Sequence, residues 1–355
     1  MKDALHPPFP YFGGKWRAAG RIWEALGDPS GYVEPFAGSA AVLLARRPFT
    51  GRRVETINDA DGWLINGWRA IQHDPTTVAR HAWGPVSEID YHARLAWLQE
   101  RRTPDLVSWL EGDPEVHDAK AAGWWLYVVA CGIGDPFGAG PWRVIDGHLR
   151  KLPHLGDAGR GVNRELPHLG NAGQGVNREL PHLGNAGQGD KAQATQAGAS
   201  TVSCPTSATQ QRLAAYLAGL SRRLERVRIT CGDWRRVLTP SVTRSGTGGD
   251  GGRAIFLDPP YATSGDLYSH GDDTISADVR DWCLSRDARG LRIVLCGYDT
   301  EHDDLLTHGW TVTEGKAGGG SGYSTRSDNG RRERLWLSPG CHTAQDVLDF
   351  TGEAS

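Results

Sequence analysis

Apolar residues fall in short bursts between residues 10 and 72, each broken by glycine or closed by an acid. Tyr32-Val33 ends at Glu34-Pro35, the small residues Ala37-Gly38-Ser39-Ala40 follow, and Ala41-Val42-Leu43-Leu44 has the look of a helix start. A second burst closes at Ile57-Asn58-Asp59, with Leu64-Ile65-Asn66 following. The order this predicts over 10–72 is helix, strand, turn, helix, strand, helix. Residues 75–150 carry a mostly helical pattern, in which Ala119–Val129 is a strongly apolar helix and Cys131–Pro136 a loop. Helical spacing returns at 209–225 through Leu213, Tyr216, Leu217, Leu220 and Leu224. Val227–Thr230, Ile255–Leu257, Arg292–Leu295 and Arg332–Leu337 read as strands, and the polar stretches 241–252, 262–275 and 315–330 as loops.

The most informative strand is Ile255-Phe256-Leu257, because it stops at Asp258-Pro259-Pro260-Tyr261. Proline has no N–H for a ladder and pushes the residue before it toward extended geometry. One strand end therefore presents a carboxylate, a carbonyl in a fixed direction and an aromatic ring. Asp258 and the Pro259 carbonyl can each accept one hydrogen of an exocyclic amine, and Tyr261 can stack on a flat base. A plain strand exit, with Tyr261 as core, uses the same four residues. Upstream, the small-residue turn after Glu34 lets a backbone approach a ligand beside a helix start. An acid at the end of a second strand, here Asp59, commonly holds ribose hydroxyls. Pro10-Tyr11-Phe12-Gly13-Gly14-Lys15 is a glycine bend that delivers a lysine.

Taken in this order, the four blocks resemble the Dam-like, D12 class family of DNA adenine-N6 methyltransferases. The family's aromatic-x-Gly-Gly-Lys motif matches Tyr11, Gly13, Gly14 and Lys15, and its Glu-Pro-Phe-x-Gly motif matches Glu34, Pro35, Phe36, Ala37 and Gly38. Its ribose-holding acid matches Asp59, its catalytic motif matches Asp258 to Tyr261, and an adenine-contacting acid matches Asp233 more weakly. The resemblance spans roughly residues 8–75 and 208–338 and departs at Ala40, where family members often carry glycine. It implies an α/β fold: a Rossmann-like S-adenosylmethionine (AdoMet) dependent methyltransferase sheet with an inserted, mainly helical target-recognition domain. The expected layout is an AdoMet-binding half at 1–74, the recognition domain at 75–150, an insertion at 151–207, an active-site half at 208–340 and a tail at 341–355. AdoMet is the implied cofactor and no metal is expected. Double-stranded DNA is the implied partner, with a cognate restriction endonuclease for a paired modification enzyme. Cytosine-N4 methylation, by the same chemistry, and a catalytically silent DNA-binding relative are the rival readings.

Composition constrains this picture without redirecting it. The 355 residues suffice for two domains, and no stretch approaches the ~18 apolar residues of a membrane span. The N-terminus lacks a basic-then-apolar leader pattern, so a cytoplasmic location is expected. Six scattered cysteines contain no C-x-x-C pair, which argues for buried thiols over structural zinc. Net charge is only −3, but Arg212, Arg222, Arg223, Arg226, Arg228, Arg235 and Arg236 form a local basic run suited to phosphates, or simply a solvated face. The tryptophans of 75–150 are expected to pack between helices. From Leu152 a 14-residue unit, LPHLGDAGRGVNRE, repeats and then breaks down after Gly189. Each copy is too glycine-rich and too poor in large apolar side chains to build a packed unit. It reads as a loop extension, either filler or a DNA-contacting arm.

Overall fold

The computed structural model describes residues 5–11, 14–47, 53–132, 137, 142–145, 148–151, 208–239, 241, 252–260, 273–285, 288–314 and 332–342. The tandem repeat, and with it any choice between filler and arm, lies outside them.

Seven strands form one sheet. They are β1 (Gly31–Glu34), β2 (Val54–Asp59), β5 (Val227–Cys231), β6 (Arg253–Leu257), β7 (Arg292–Tyr298), β8 (Thr311–Glu314) and β9 (Glu333–Leu337). Across the sheet they run β5-β2-β1-β6-β7-β9-β8. The first five are parallel, while β9 is antiparallel to both its neighbours. Strand order reverses between β1 and β6, and in such doubly wound sheets ligands bind beyond the carboxyl ends of the strands at that switch point. A separate antiparallel hairpin joins β3 (Trp142–Ile145) to β4 (His148–Lys151), where the sequence pattern had suggested mostly helix.

Period-two alternation divides the core between the two faces of the sheet. Tyr32, Ala254, Phe256, Val294, Cys296 and Leu335 belong to one cluster, and Val33, Ile255, Leu257, Ile293, Leu295 and Trp336 to the other. Both faces of the central strands are therefore covered, which is why those strands read as continuous apolar runs rather than as alternating ones. Of the seven strands of this sheet, only the edge strand β8 is exposed along its whole length.

The first face carries α1 (Ala19–Leu26), α2 (Ala41–Ala45), α3 (Gly62–His73) and α8 (Ala208–Leu224). Side-chain caps fix where several helices begin. Asp61 accepts from the N–H groups of Trp63 and Leu64 to open α3, and Asp74 caps Thr77 in α4 (Pro75–Ala82), which has proline in its first turn. The layer continues through α5 (Glu88–Glu100), α6 (Pro104–Gly112) and α7 (Ala119–Cys131). Buried side chains of α4 to α7 share one apolar cluster with those of α3 and α8. Trp125 is buried with its ring edge-on to Phe9, and Trp97 meets Trp124 edge-on at 4.9 Å, while Trp109 is exposed. The second face is covered by α9 (Asp273–Leu284) and a 3-10 turn at Asp303–His308. Residues 273–275, whose polarity predicts a loop, form the first turn of this helix instead.

Candidate active site

A pocket opens at the carboxyl ends of β1, β2, β5 and β6, at the switch point. Three chain turns shape it. After β1, residues 35–40 bend sharply into α2, with Ala37 N–H donating to the Asn58 carbonyl (2.8 Å) and Ala40 N–H to the Ala37 carbonyl (2.7 Å). Gly38 has φ +47°, and a Cβ there would stand 2.6 Å from the Tyr11 ring, so both the conformation and the contact require glycine. Ala40, the departure from the family pattern, adopts the left-handed conformation all the same (φ 49°, ψ 29°). A non-glycine residue there carries strain of roughly 1 kcal/mol. The turn keeps the shape that glycine would give it.

After β2, Asp59 ties the turns together. Its carboxylate accepts from Gly38 N–H (2.9 Å) and Asp61 N–H (3.0 Å), and Asn58 bridges the carbonyls of Pro35 and Gly232. Burial raises the Asp59 pKa to about 6 against the pull of those backbone donors. Glu34 lies deeper, accepting from the Tyr32 hydroxyl (3.0 Å) and Leu43 N–H (3.3 Å). Burial raises its pKa to about 8; the two donors oppose the rise, and Asp258 and Asp59 add to it.

The third turn follows β6. Asp258 receives the Lys15 ammonium at 2.8 Å, and that ammonium also meets Glu333, the first residue of β9, at 2.9 Å. Lys15 is almost wholly buried. Burial alone would lower its pKa, but the two carboxylates outweigh it and hold the group well above its ordinary value. Glu333 was the residue missed by motif reading. Its only signal was an acid between two arginines at the start of the closing strand.

Tyr11, Gly14, Lys15, Glu34, Pro35, Phe36, Ala37, Gly38, Asp59, Asp233, Asp258 and Pro260 all line this one pocket. Pro259 is buried behind the wall, and Gly13 and Tyr261 lie outside the described residues. Ser39, Gly232, Trp234 and Phe256, which stand in or beside the motif blocks, also line it, as do Asp61 and Ile275, which carried no motif signal. Asp233 is already engaged, accepting from Arg235 N–H (2.7 Å) and pairing with the Arg235 guanidinium (3.1 Å). The basic run does not form one stripe. Arg235 and Arg236 stand beside the pocket, tied to Asp278 and Glu111 respectively. Arg223 is bound to Glu55 at the opposite end of the sheet.

Charge defines what such a pocket accepts. Its lining carries five acidic side chains, those of Glu34, Asp59, Asp61, Asp233 and Asp258, against the single ammonium of Lys15, and of the five Glu34 is held protonated near neutral pH by its burial. A polyphosphate would be repelled, whereas a ligand bearing positive charge would be drawn in.

An acid at the end of each of the first two strands and Asp-Pro-Pro beyond β6, on a doubly wound seven-stranded sheet, are consistent with a methyltransferase-type α/β protein. Residues 11–94 match the family model of the D12 class N6 adenine-specific DNA methyltransferases. The match supports adenine-N6 methylation of DNA as the activity and agrees with the resemblance read from the four blocks. It spans Tyr11 through Asp59 and leaves the Asp258 block outside its limits. No curated protein matches the chain.

Proposed function

We propose that this protein transfers a methyl group from AdoMet to N6 of an adenine flipped out of double-stranded DNA. The observation that carries the reading is Asp258, held by a buried lysine on the wall of an acidic pocket at the switch point.

The residues present fit AdoMet. Its sulfonium and amino group suit the excess of carboxylates; Glu34 is the acid for the amino end and Asp59 for the ribose hydroxyls. Phe36 and Trp234, with ring centroids 5.9 Å apart, form an aromatic wall for the cofactor's own base. When bound, AdoMet supplies an electrophilic methyl group on sulfur.

Adenine N6 is a poor nucleophile because its lone pair is delocalised into the ring. Asp258 and the Pro259 carbonyl accept its two hydrogens, which favours a pyramidal nitrogen with the lone pair free to attack. Positioning and fixed charge therefore carry the rate, with no covalent intermediate on the protein. A base inside the duplex cannot reach Asp258, so the target must leave the stack, with Tyr261 as its stacking partner. Recognition of the sequence around the target belongs to residues 75–150 in this reading.

The test is transfer of labelled methyl from AdoMet to duplex DNA, followed by digestion to nucleosides. N6-methyl-2′-deoxyadenosine is the expected product. N4-methyl-2′-deoxycytidine would move the activity to the rival base, and absence of label with intact AdoMet binding would leave a silent relative.

A further inference from the structure

We propose that Glu333 is a positioning residue for methyl transfer, acting on Asp258 through the lysine they share. The proposal rests on the activity read above and concerns a side chain which that reading does not use.

The geometry is a three-member ion cluster with one cation. Lys15 Nζ stands 2.8 Å from Asp258 and 2.9 Å from Glu333, and the lysine side chain is only 4% exposed, so water does little to screen the cluster. The three residues come from three parts of the fold: Lys15 from the turn before α1, Asp258 from the end of β6 and Glu333 from the start of β9. Pairing of Glu333 with Tyr298 places it across from the end of β7, two strands from β1. Such a long-range arrangement is not needed to close the sheet, since Leu335, Trp336 and Leu337 already supply β9 with its apolar contacts.

Sharing has an electrostatic consequence. If Asp258 held Lys15 alone, the pair would be close to neutral and the carboxylate a weak acceptor. With Glu333 on the same ammonium, the cluster keeps a net negative charge and Asp258 remains a stronger acceptor for the N6 hydrogens. The other groups facing this cluster are Cys296 and Tyr298 from β7, Glu34 from β1 and Arg332 beside β9. Cys296 is wholly buried close to Asp258, and burial, with that carboxylate's charge adding to it, holds its thiol well above the ordinary value. Glu34 also lies close enough to Asp258 for the two charges to act on each other. Of these groups, only Glu333 is a second carboxylate on the lysine itself.

The experiment measures single-turnover methyl transfer against pH for the wild-type chain, Glu333→Gln and Glu333→Asp, with AdoMet affinity and thermal midpoint recorded for each. Glu333→Gln is expected to lower the plateau rate ~10-fold and to move the acidic limb of the profile to lower pH by about one unit, because Asp258 then has Lys15 to itself. AdoMet affinity should stay within about twofold, the pocket wall being unchanged. Glu333→Asp keeps the charge, so its acidic limb should stay where the wild type has it, even if the rate falls. An unmoved limb in Glu333→Gln overturns the proposal, and so does equal loss of rate in both variants with no change of profile, the signature of packing alone. Should Glu333→Gln fail to fold, the aspartate variant decides, since a displaced limb there removes charge as the cause. A wild-type chain without transfer would defeat the proposed activity and leave a separate record from either result.

Discussion

Two buried ion networks close the two ends of this sheet, and they differ in how their charges balance. At the amino ends of the strands, Glu55 takes Arg46 (2.8 Å) and a two-point contact from Arg223 (2.8 and 3.1 Å), while Asp28 takes Arg46 and Arg53. Cations outnumber acids there, and two guanidinium groups also donate to backbone, Arg46 to the carbonyl of Pro29 and Arg223 to that of Leu43. At the carboxyl ends a single ammonium faces a crowd of carboxylates. Burial raises the pKa of a carboxyl group in both places. At Glu55 the arginine contacts win and its pKa lies below the ordinary value, whereas at Glu34 and Asp59 burial wins and the values rise. In the lower network cations offset the acids; in the upper one the acids exceed the one ammonium, which under the proposed function is where a cationic ligand enters.

The largest expected effect lies in the lower network. Glu55→Ala strands Arg46 and Arg223 without their shared acid, and breaking a buried pair from one side costs about 3 to 5 kcal/mol. Urea unfolding should show that loss, while AdoMet binding at low temperature persists. If AdoMet binding fails in a chain that is still folded, the two ends are not independent.

Asp258→Ala is the matching cut in the upper network. Loss of a fixed acceptor in the transition state should reduce transfer ~10²-fold or more, about 2.7 kcal/mol, with the fold kept because Glu333 still pairs with Lys15. Near-normal turnover would remove Asp258 from the chemistry. The same variant should bind AdoMet with little change, since Glu34 and Asp59 are untouched.

Proton linkage separates the ends further. Glu34 has a folded pKa of about 8 against an ordinary value near 4.5, so between those values the folded state holds the extra proton. Stability from this group must therefore fall as pH rises from 4.5 toward 8, by roughly 4 kcal/mol. Glu55 has the opposite sign: its depressed pKa gives stability that is present above about 4.5 and lost as pH falls through the folded value. Glu34→Gln should flatten the fall between pH 5 and 8 and leave the acid side unchanged. A cationic ligand beside Glu34 favours its ionised form, so AdoMet binding should release protons, seen as a binding enthalpy that varies with buffer. An enthalpy independent of buffer would put the amino group elsewhere.

How much of this was legible beforehand follows from which physics is local. The central strands, the turn after Glu34 and the Asp-Pro-Pro stop leave their marks within a few residues, and they stand where the pattern put them. Arg292–Leu295 was read too short, because Cys296-Gly297-Tyr298 pair with β9 and pairing is not written in one strand alone. Ionic partners are non-local as well. Arg223 belonged to a basic run in sequence but to Glu55 in space, and Glu333 showed no role until β9 was laid beside β7. The tight pairing of α4 to α7 with α3 and α8 was equally hidden, since an apolar helix face does not name its partner. The β3–β4 hairpin carried no clear alternation and was read as part of a helical region.

The smallest effect tests the element that joins the two ends. Helix α2 spans only Ala41–Ala45, yet it begins at Ala40 in the pocket turn and ends at Arg46 in the lower network. Its Leu43 donates N–H to Glu34 and offers its carbonyl to Arg223, so one residue touches both networks. Ala40 is fully buried in a left-handed conformation. Ala40→Gly relieves strain of about 1 kcal/mol and forfeits one buried methyl, about 0.8 kcal/mol, so the two terms nearly cancel. An unfolding free energy within about 0.5 kcal/mol of wild type, from urea curves of unchanged slope, is the expected result. AdoMet affinity should be unaltered, because Gly38 N–H and Asp59 hold the turn without help from the Ala40 side chain. A loss beyond about 1 kcal/mol, together with weaker AdoMet binding, would mean that the methyl group wedges α2 in place and that the pocket feels the lower network through it.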